Sequence, residues 1–197
     1  MWLKLRWIVI IGLLFLLATS AFLLVTRKET TNNMDSQSQT TSSSLKLVSQ
    51  AFSDGAPIPM QYTCKGQNIN PPLNIIGVPP QAKSLALIMH DPDAVSGDFV
   101  HWLMWDIPTS TETVAANSVP PGAIQGTNSA NKSQYIGPCP PAGTGTHRYM
   151  FELYALDRPL TNLNMETNRE QLQKVMEGHI IAQYTLTGLF SADQAGA

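Results

Sequence analysis

Apolar and polar positions alternate with different periods in different parts of the chain, and the periods predict its elements. Residues 7–25, WIVIIGLLFLLATSAFLLV, are nineteen positions without a charge, preceded by Lys4 and Arg6 and followed by Arg27 and Lys28. A helix of that length crosses a bilayer core of about 30 Å, so the pattern predicts a membrane anchor over 1–28. Cleavage as a signal peptide near Thr19 to Ala21 is the alternative, giving a secreted protein, although four more apolar residues follow that small-residue site. No cysteine follows the run, which argues against lipid modification. The short basic N-terminus favours a cytoplasmic start, with the rest of the chain periplasmic or extracellular. Residues 29–44, ETTNNMDSQSQTTSSS, hold one apolar residue and no period, as a flexible linker would. That leaves 45–197 as the folded domain.

Within the domain the periods are mostly those of strands. SLALIM, Ser84 to Met89, is a short apolar run ending before an Asp-Pro pair, and predicts a buried strand leading into a turn. VHWLMWDI, Val100 to Ile107, is apolar on both alternating faces apart from His101 and Asp106, and predicts a central strand covered on both sides. HRYMFELYAL, His147 to Leu156, puts His147, Tyr149, Phe151 and Leu153 on one face. GHIIAQYTLTGL, Gly178 to Leu189, predicts another strand, and shorter ones are expected over Lys46 to Phe52 and around Pro57 to Tyr62. One helix is signalled by Thr167 and Glu170 as a capping box, Leu172, Val175 and Met176 as an apolar stripe, and Gly178 as a stop. Glu112 to Gln134 is a long polar stretch, of the kind that is usually functional or mobile.

Charge narrows the functional classes. From Leu45 onward there are eight Lys or Arg against twelve Asp or Glu, a net charge of −4, and no basic stripe that would neutralise the phosphates of a nucleic acid. Cys64 and Cys139, 75 positions apart, suggest one disulfide in an oxidising compartment; two unpaired small hydrophobes are the alternative.

Polar residues at the edges of the apolar strands form three clusters: NINPPL from Asn68, HDPDAVSGDFVHW from His90, and YIGPCPPAGTGTHRY from Tyr135. In the second, Asp91 and Asp93 flank Pro92 and would point to one side of an extended chain, while His101 has Phe99 and Leu103 as same-face neighbours. In the third, Gly137, Gly143 and Gly145 would let backbone N–H groups approach a ligand while Pro138, Pro140 and Pro141 stiffen the loop. His147 and Tyr149 follow as side-chain donors.

DPDA followed by HWLMWDIP, and then GPCPPAGTGTHRYMFELYAL, resembles the two signature regions of the phosphatidylethanolamine-binding protein family, in particular its short bacterial and archaeal branch, often called Raf kinase inhibitor-like. The resemblance runs from about Leu45 to Phe190. It implies an all-β-dominated fold, an antiparallel β-sandwich with one or two short helices, and an anion pocket holding Asp91, His101, Pro140, Pro141, His147 and Tyr149, with Asp93 and Cys139 adjacent. Family members bind phosphate-like groups there, on headgroups or side chains. Several positions depart from the pattern: Val95 for a proline, Phe99 for a tryptophan, Asp106 for an asparagine and Ile75 for a tryptophan, so the ligand is less defined than the fold. The chain ends soon after TGLF, without the C-terminal helix that closes the pocket in eukaryotic relatives, which implies a more open site.

The resulting expectation is non-enzymatic binding of a small phosphorylated or anionic ligand, with no cofactor, no catalytic residue and no metal. Two Asp and two His near one pocket also suit a hydrolase or a metal site, but there is no HExxH pair and no GxSxG elbow. A third reading is an inhibitor of a protease or signalling partner that uses the 112–134 loop. An exposed sheet edge would support a homodimer.

Overall fold

The computed structural model describes residues 44–193. The expected anchor over 1–28 and the linker up to residue 43 lie outside the described residues, and among the described residues no helix is long and apolar enough to cross a membrane.

Among the described residues nine strands form two sheets. The strands are β1 (Lys46–Ser49), β2 (Ala56–Pro57), β3 (Leu73–Ile76), β4 (Ser84–Asp91), β5 (Phe99–Ile107), β6 (Thr113–Val114), β7 (Ile124–Gln125), β8 (His147–Leu156) and β9 (Ile180–Phe190). The large sheet runs β2-β9-β8-β4-β5-β7, antiparallel except for the β2–β9 pair, and the small sheet runs β1-β3-β6. Leu47, Leu73 and Ile75 of the small sheet pack against Leu87, Met89, Trp102, Met104, Phe151 and Leu186 of the large one, which makes the sandwich core. The other face of the large sheet is covered by one helix, α1 (Arg169–Met176), whose Leu172 and Met176 meet Ala86, Ile88, Leu103 and Trp105. Coverage on both faces is why β4 is buried at every position and why its sequence shows no alternation.

Several boundaries differ from the sequence reading. The chain around Pro57 to Tyr62 gives a two-residue strand and a 3₁₀ turn over Met60–Tyr62, and β1 stops at Ser49, where the serine hydroxyl donates to Pro72 O. The capping box is Asn168 with Gln171: the Asn168 side chain accepts from Gln171 N at 3.0 Å and Gln171 Oε1 accepts from Asn168 N at 3.0 Å. Thr167 stands one residue before the cap, and its hydroxyl accepts from Asn164 N instead. Replacing Asn168 by Ala therefore removes an N-terminal cap, and urea denaturation is expected to show a loss of about 1 kcal/mol. The 112–134 stretch is not a free loop. It carries β6 and β7, and buried Asn128 accepts from Ala130 N and Lys132 N while donating to Gln134 O.

Strand β5 contains two irregularities that matter for the site. His90 pairs with Val100 and Met89 with Trp102, so His101 is an extra residue in β5 without a partner in β4. The inserted residue changes the parity of the strand: Leu103 packs under α1, whereas His101 stays with Phe99 and Tyr149 on the opposite side. The expected same-face grouping of His101 with Leu103 fails for that reason. At the far end Leu85 pairs with Ile107 and Leu87 with Met104, and Asp106 in the extra stretch has φ +52°. Its carboxylate accepts from Leu160 N at 2.8 Å. Asp and Asn are the side chains that tolerate this backbone best.

Candidate functional site

The ends of β4, β5 and β8 and the chain from 136 to 141 enclose a cavity of about 330 Å³. Asp91, His101, Cys139, Pro140, Pro141, His147 and Tyr149 all line it, so two distant stretches of sequence meet as expected. Phe99, Ile136 and Ala94 to Ser96 line it as well and were not singled out as ligand contacts by sequence. Val95 and Phe99 were marked in the sequence as departures from the family pattern, and for the others the signal was position beside residues that carry chemistry. Asp93 does not line the cavity. Asp91 Oδ1 accepts from Asp93 N at 2.9 Å, which turns the chain and sends the second carboxylate to Arg148 on the other face of β8. There the guanidinium bonds Asp93 at 2.7 and 2.8 Å and holds its pKa down at about 2.

Each histidine is fixed by its partners. His101 Nδ1 lies 2.8 Å from Ile136 O. A carbonyl only accepts, so Nδ1 carries the proton and Nε2 is the free nitrogen of a ring that lines the cavity. Burial lowers the His101 pKa, against the opposing pull of the Ile136 carbonyl and Asp91, so the neutral ring prevails at pH 7. His147 is committed on both sides: Nδ1 to Asp91 Oδ2 at 2.8 Å and Nε2 to Thr144 Oγ1 at 2.8 Å. Thr144 Oγ1 also donates to Pro141 O at 2.8 Å, which ties the 140–144 loop to the histidine. The expected donor role of His147 is thus taken up within the protein, and the ring acts as a post for the loop.

Tyr149 completes the cavity floor. Its hydroxyl is fully buried and, among the described residues, has no hydrogen-bond partner of good geometry. Burial first, and then the neighbouring Asp91 carboxylate, raise its pKa, so the hydroxyl keeps its proton, with Asp91 within reach as a competing acceptor. The ring meets His101 edge-on, with centroids 5.2 Å apart. Among the described residues no Lys or Arg lines the cavity.

The glycines serve purposes other than ligand approach. A Cβ at Gly137 would stand 2.4 Å from Tyr62 O, so this position must be glycine for the loop to lie against 62–63. Gly143 and Gly145 adopt φ of +82° and +83° in the turn that returns the chain to β8. None of the three lines the cavity. Cys64 and Cys139 are bonded, with Cα atoms 5.4 Å apart, and Cys64 N donates to Pro138 O, so the disulfide fastens the cavity wall to the turn at 60–62.

Behind the site, on the helix side, lies an ionic cluster that sequence reasoning missed. His90 Nδ1 meets Asp98 Oδ1 at 2.6 Å and its Nε2 lies 3.5 Å from Glu152, while Arg169 of α1 reaches both carboxylates. Burial opposes the charged imidazole, but the hydrogen bonds to Glu152 and Asp98 outweigh it and the His90 pKa is raised. The cluster ties the cavity rim at 94–96, through Asp98, to β4, β8 and α1.

A family model described as phosphatidylethanolamine-binding protein matches residues 48–191. The UPF0098 protein of Methanothermobacter thermautotrophicus is 44% identical over 151 residues, covering 74% of this chain and 98% of that protein. Among solved structures, the phosphatidylethanolamine-binding protein homologue CT736 of Chlamydia trachomatis has a TM-score of 0.73 at 41% identity, covering 77% of this chain and 100% of that one. YbcL of E. coli, described as a member of the mammalian family of these proteins, has a TM-score of 0.71 at 25% identity, covering 75% and 98%.

Proposed function

The chain belongs to the phosphatidylethanolamine-binding protein family, and from that premise we propose that its cavity binds small phosphate-like anions or phosphorylated headgroups without transforming them. One observation carries the reading: the cavity is lined by His101, whose Nε2 has no partner among the described residues, and by Tyr149, whose hydroxyl makes no hydrogen bond of good geometry there, with the two rings 5.2 Å apart. Tyr149 donates to one anion oxygen. His101 donates to another once it has taken up a proton, which the anion itself favours. The apolar walls of Phe99, Ile136 and Pro141 suit the organic part of a phosphomonoester. Asp91 does not repel such a ligand strongly, because its two oxygens are occupied by Asp93 N–H and His147.

Binding rather than catalysis fits the lining. The cysteine sulfur at the cavity is oxidised in the disulfide, and the Thr144 hydroxyl beside His147 is committed to Pro141 O. The disulfide also supports a working place outside the cytoplasm, with residues 1–28 as the tether or leader and 29–44 as the spacer.

Proton uptake at His101 gives the test. The free ring has a pKa below the ordinary 6.5 and the anion-bound ring a higher one, so affinity rises as pH falls through this region and levels off above it. Calorimetric titration with sulfate, whose charge does not change in this range, is expected to give about tenfold tighter binding for each pH unit at the steepest point. His101→Gln should flatten that slope, and phosphoethanolamine should follow the wild-type trend. A sulfate affinity that stays constant from pH 8 to pH 5.5 would count against the proposal.

A further inference from the structure

The NINPPL segment plays no part in the anion cavity. It forms one wall of a second cavity, of about 310 Å³, that shares no lining residue with the first. Asn68, Trp102, Asn117, Gln125, Gln134 and Tyr135 are its main polar and aromatic residues, and among the described residues no charged side chain lines it. The two cavities meet neighbouring residues of β5, His101 lining one and the adjacent Trp102 the other, both on the side of the large sheet away from α1.

We infer that this second cavity is a binding site for a neutral saccharide unit bearing an acetamido group, separate from the anion pocket. The wall is built by Asn70, whose buried amide donates to Pro71 O and Ala115 O and accepts from Ser118 N, pinning the 115–118 turn against the segment. Asn70 is spent on that task. Two other amides are half spent: Gln125 Oε1 accepts from the Trp102 indole N–H at 2.6 Å, and Asn68 Oδ1 accepts from Gly137 N at 2.7 Å. With the oxygen ends anchored, the orientation of each planar amide is set, and the NH₂ ends are left as donors without a partner among the described residues. Asn117 and Gln134, exposed at the mouth, have side chains with both donor and acceptor ends free.

The chemistry selects the ligand. Without a charged lining, neither an anion nor a cation is favoured over a neutral molecule. Fixed donors call for acceptors, which the carbonyl of an acetamido group and the oxygens of a sugar ring supply, while the free amides at the mouth match hydroxyls that both donate and accept. Trp102 and Tyr135 pack edge to face in the core beneath the cavity, and the partly buried Ile69 and Val119 give it an apolar patch for the C–H groups of the ring. The volume lies at the small end of ligand pockets, which run from roughly 300 Å³ upward, so it suits one ring rather than a chain.

Saturation-transfer NMR on the full chain, in micelles free of sugar and phosphate groups, tests the inference with methyl N-acetylglucosaminide and methyl glucoside as probes. Transfer is expected to the acetamido sugar and to be at least tenfold weaker for the glucoside. Gln125→Glu keeps an acceptor for the Trp102 indole and Asn68→Asp keeps one for Gly137 N–H, so both variants should melt within a few degrees of wild type. Each replaces a donor by a charged acceptor, and each should weaken binding of the acetamido sugar at least tenfold while leaving sulfate binding unchanged. No transfer to the acetamido sugar, equal transfer to the glucoside, undiminished binding in both variants, or displacement of the sugar by phosphate would each overturn the assignment.

Discussion

Urea unfolding of the protein carrying Cys64→Ser and Cys139→Ser is expected to show a stability about 4 kcal/mol below that of the oxidised wild type. The bond closes a loop of 75 positions, and confining a loop that long removes much of the freedom of the unfolded chain. At a denaturant slope of roughly 2 kcal/mol per molar, the midpoint should fall by about 2 M. Adding a reductant to the wild type should reproduce most of the shift. The loss should extend to ligand binding, because Cys139 lines the anion cavity beside Pro140 and Pro141 and this bond, with the Cys64 N to Pro138 O contact, holds that wall to the chain after the 60–62 turn. Identical midpoints with and without reductant would remove the disulfide from the account of stability.

Asp91→Ala should cost nearly as much, about 3 to 5 kcal/mol, for a different reason. Asp91 and His147 are both buried, and the carboxylate is the partner of the imidazole Nδ1 as well as the acceptor for Asp93 N–H. Truncation leaves the buried His147 Nδ1 unmatched, releases the exposed Asp93 N–H to water and loosens the loop that Thr144 ties to His147. Asp91→Asn keeps an oxygen for Asp93 N–H and should lose about half as much. Adding His147→Ala to Asp91→Ala should cost less than the sum of the single losses, since both remove the same pair. Additive losses in that double-mutant cycle would show that the pair is not coupled.

Strands were legible wherever burial is one-sided or complete over many residues. The bounds of β8 follow from its alternation, and the run before Asp-Pro predicts β4, which continues through Asp91 before turning. Two cysteines in a chain whose N-terminal pattern reads as an export signal were enough to suggest the bond. The cavity residues came from the family resemblance, and Asp93 shows where simple parity fails: a side-chain bond from Asp91 turns the chain, so two carboxylates two residues apart serve opposite faces. His147 was legible as a residue of the site, but its role was not, because the competing partner, Thr144, is a loop residue with no periodic position. The cap moved by one residue because threonine and asparagine offer similar side chains and only the fold decides which is already occupied. The ionic cluster of His90, Asp98, Glu152 and Arg169 joins residues up to 79 positions apart in sequence, from His90 to Arg169, beyond the reach of any local pattern.

A strand with strict alternation would have to give neighbouring side chains to opposite faces, and a histidine in line with Leu103 would end beneath α1. The surplus residue in β5 breaks that obligation once. Deleting one residue at this point should leave the pairing of β4 with β5 intact and even regularise it, while no longer presenting an imidazole and an indole to two separate chambers. The irregularity that costs the sheet a ladder position is therefore what lets a single strand supply both chambers.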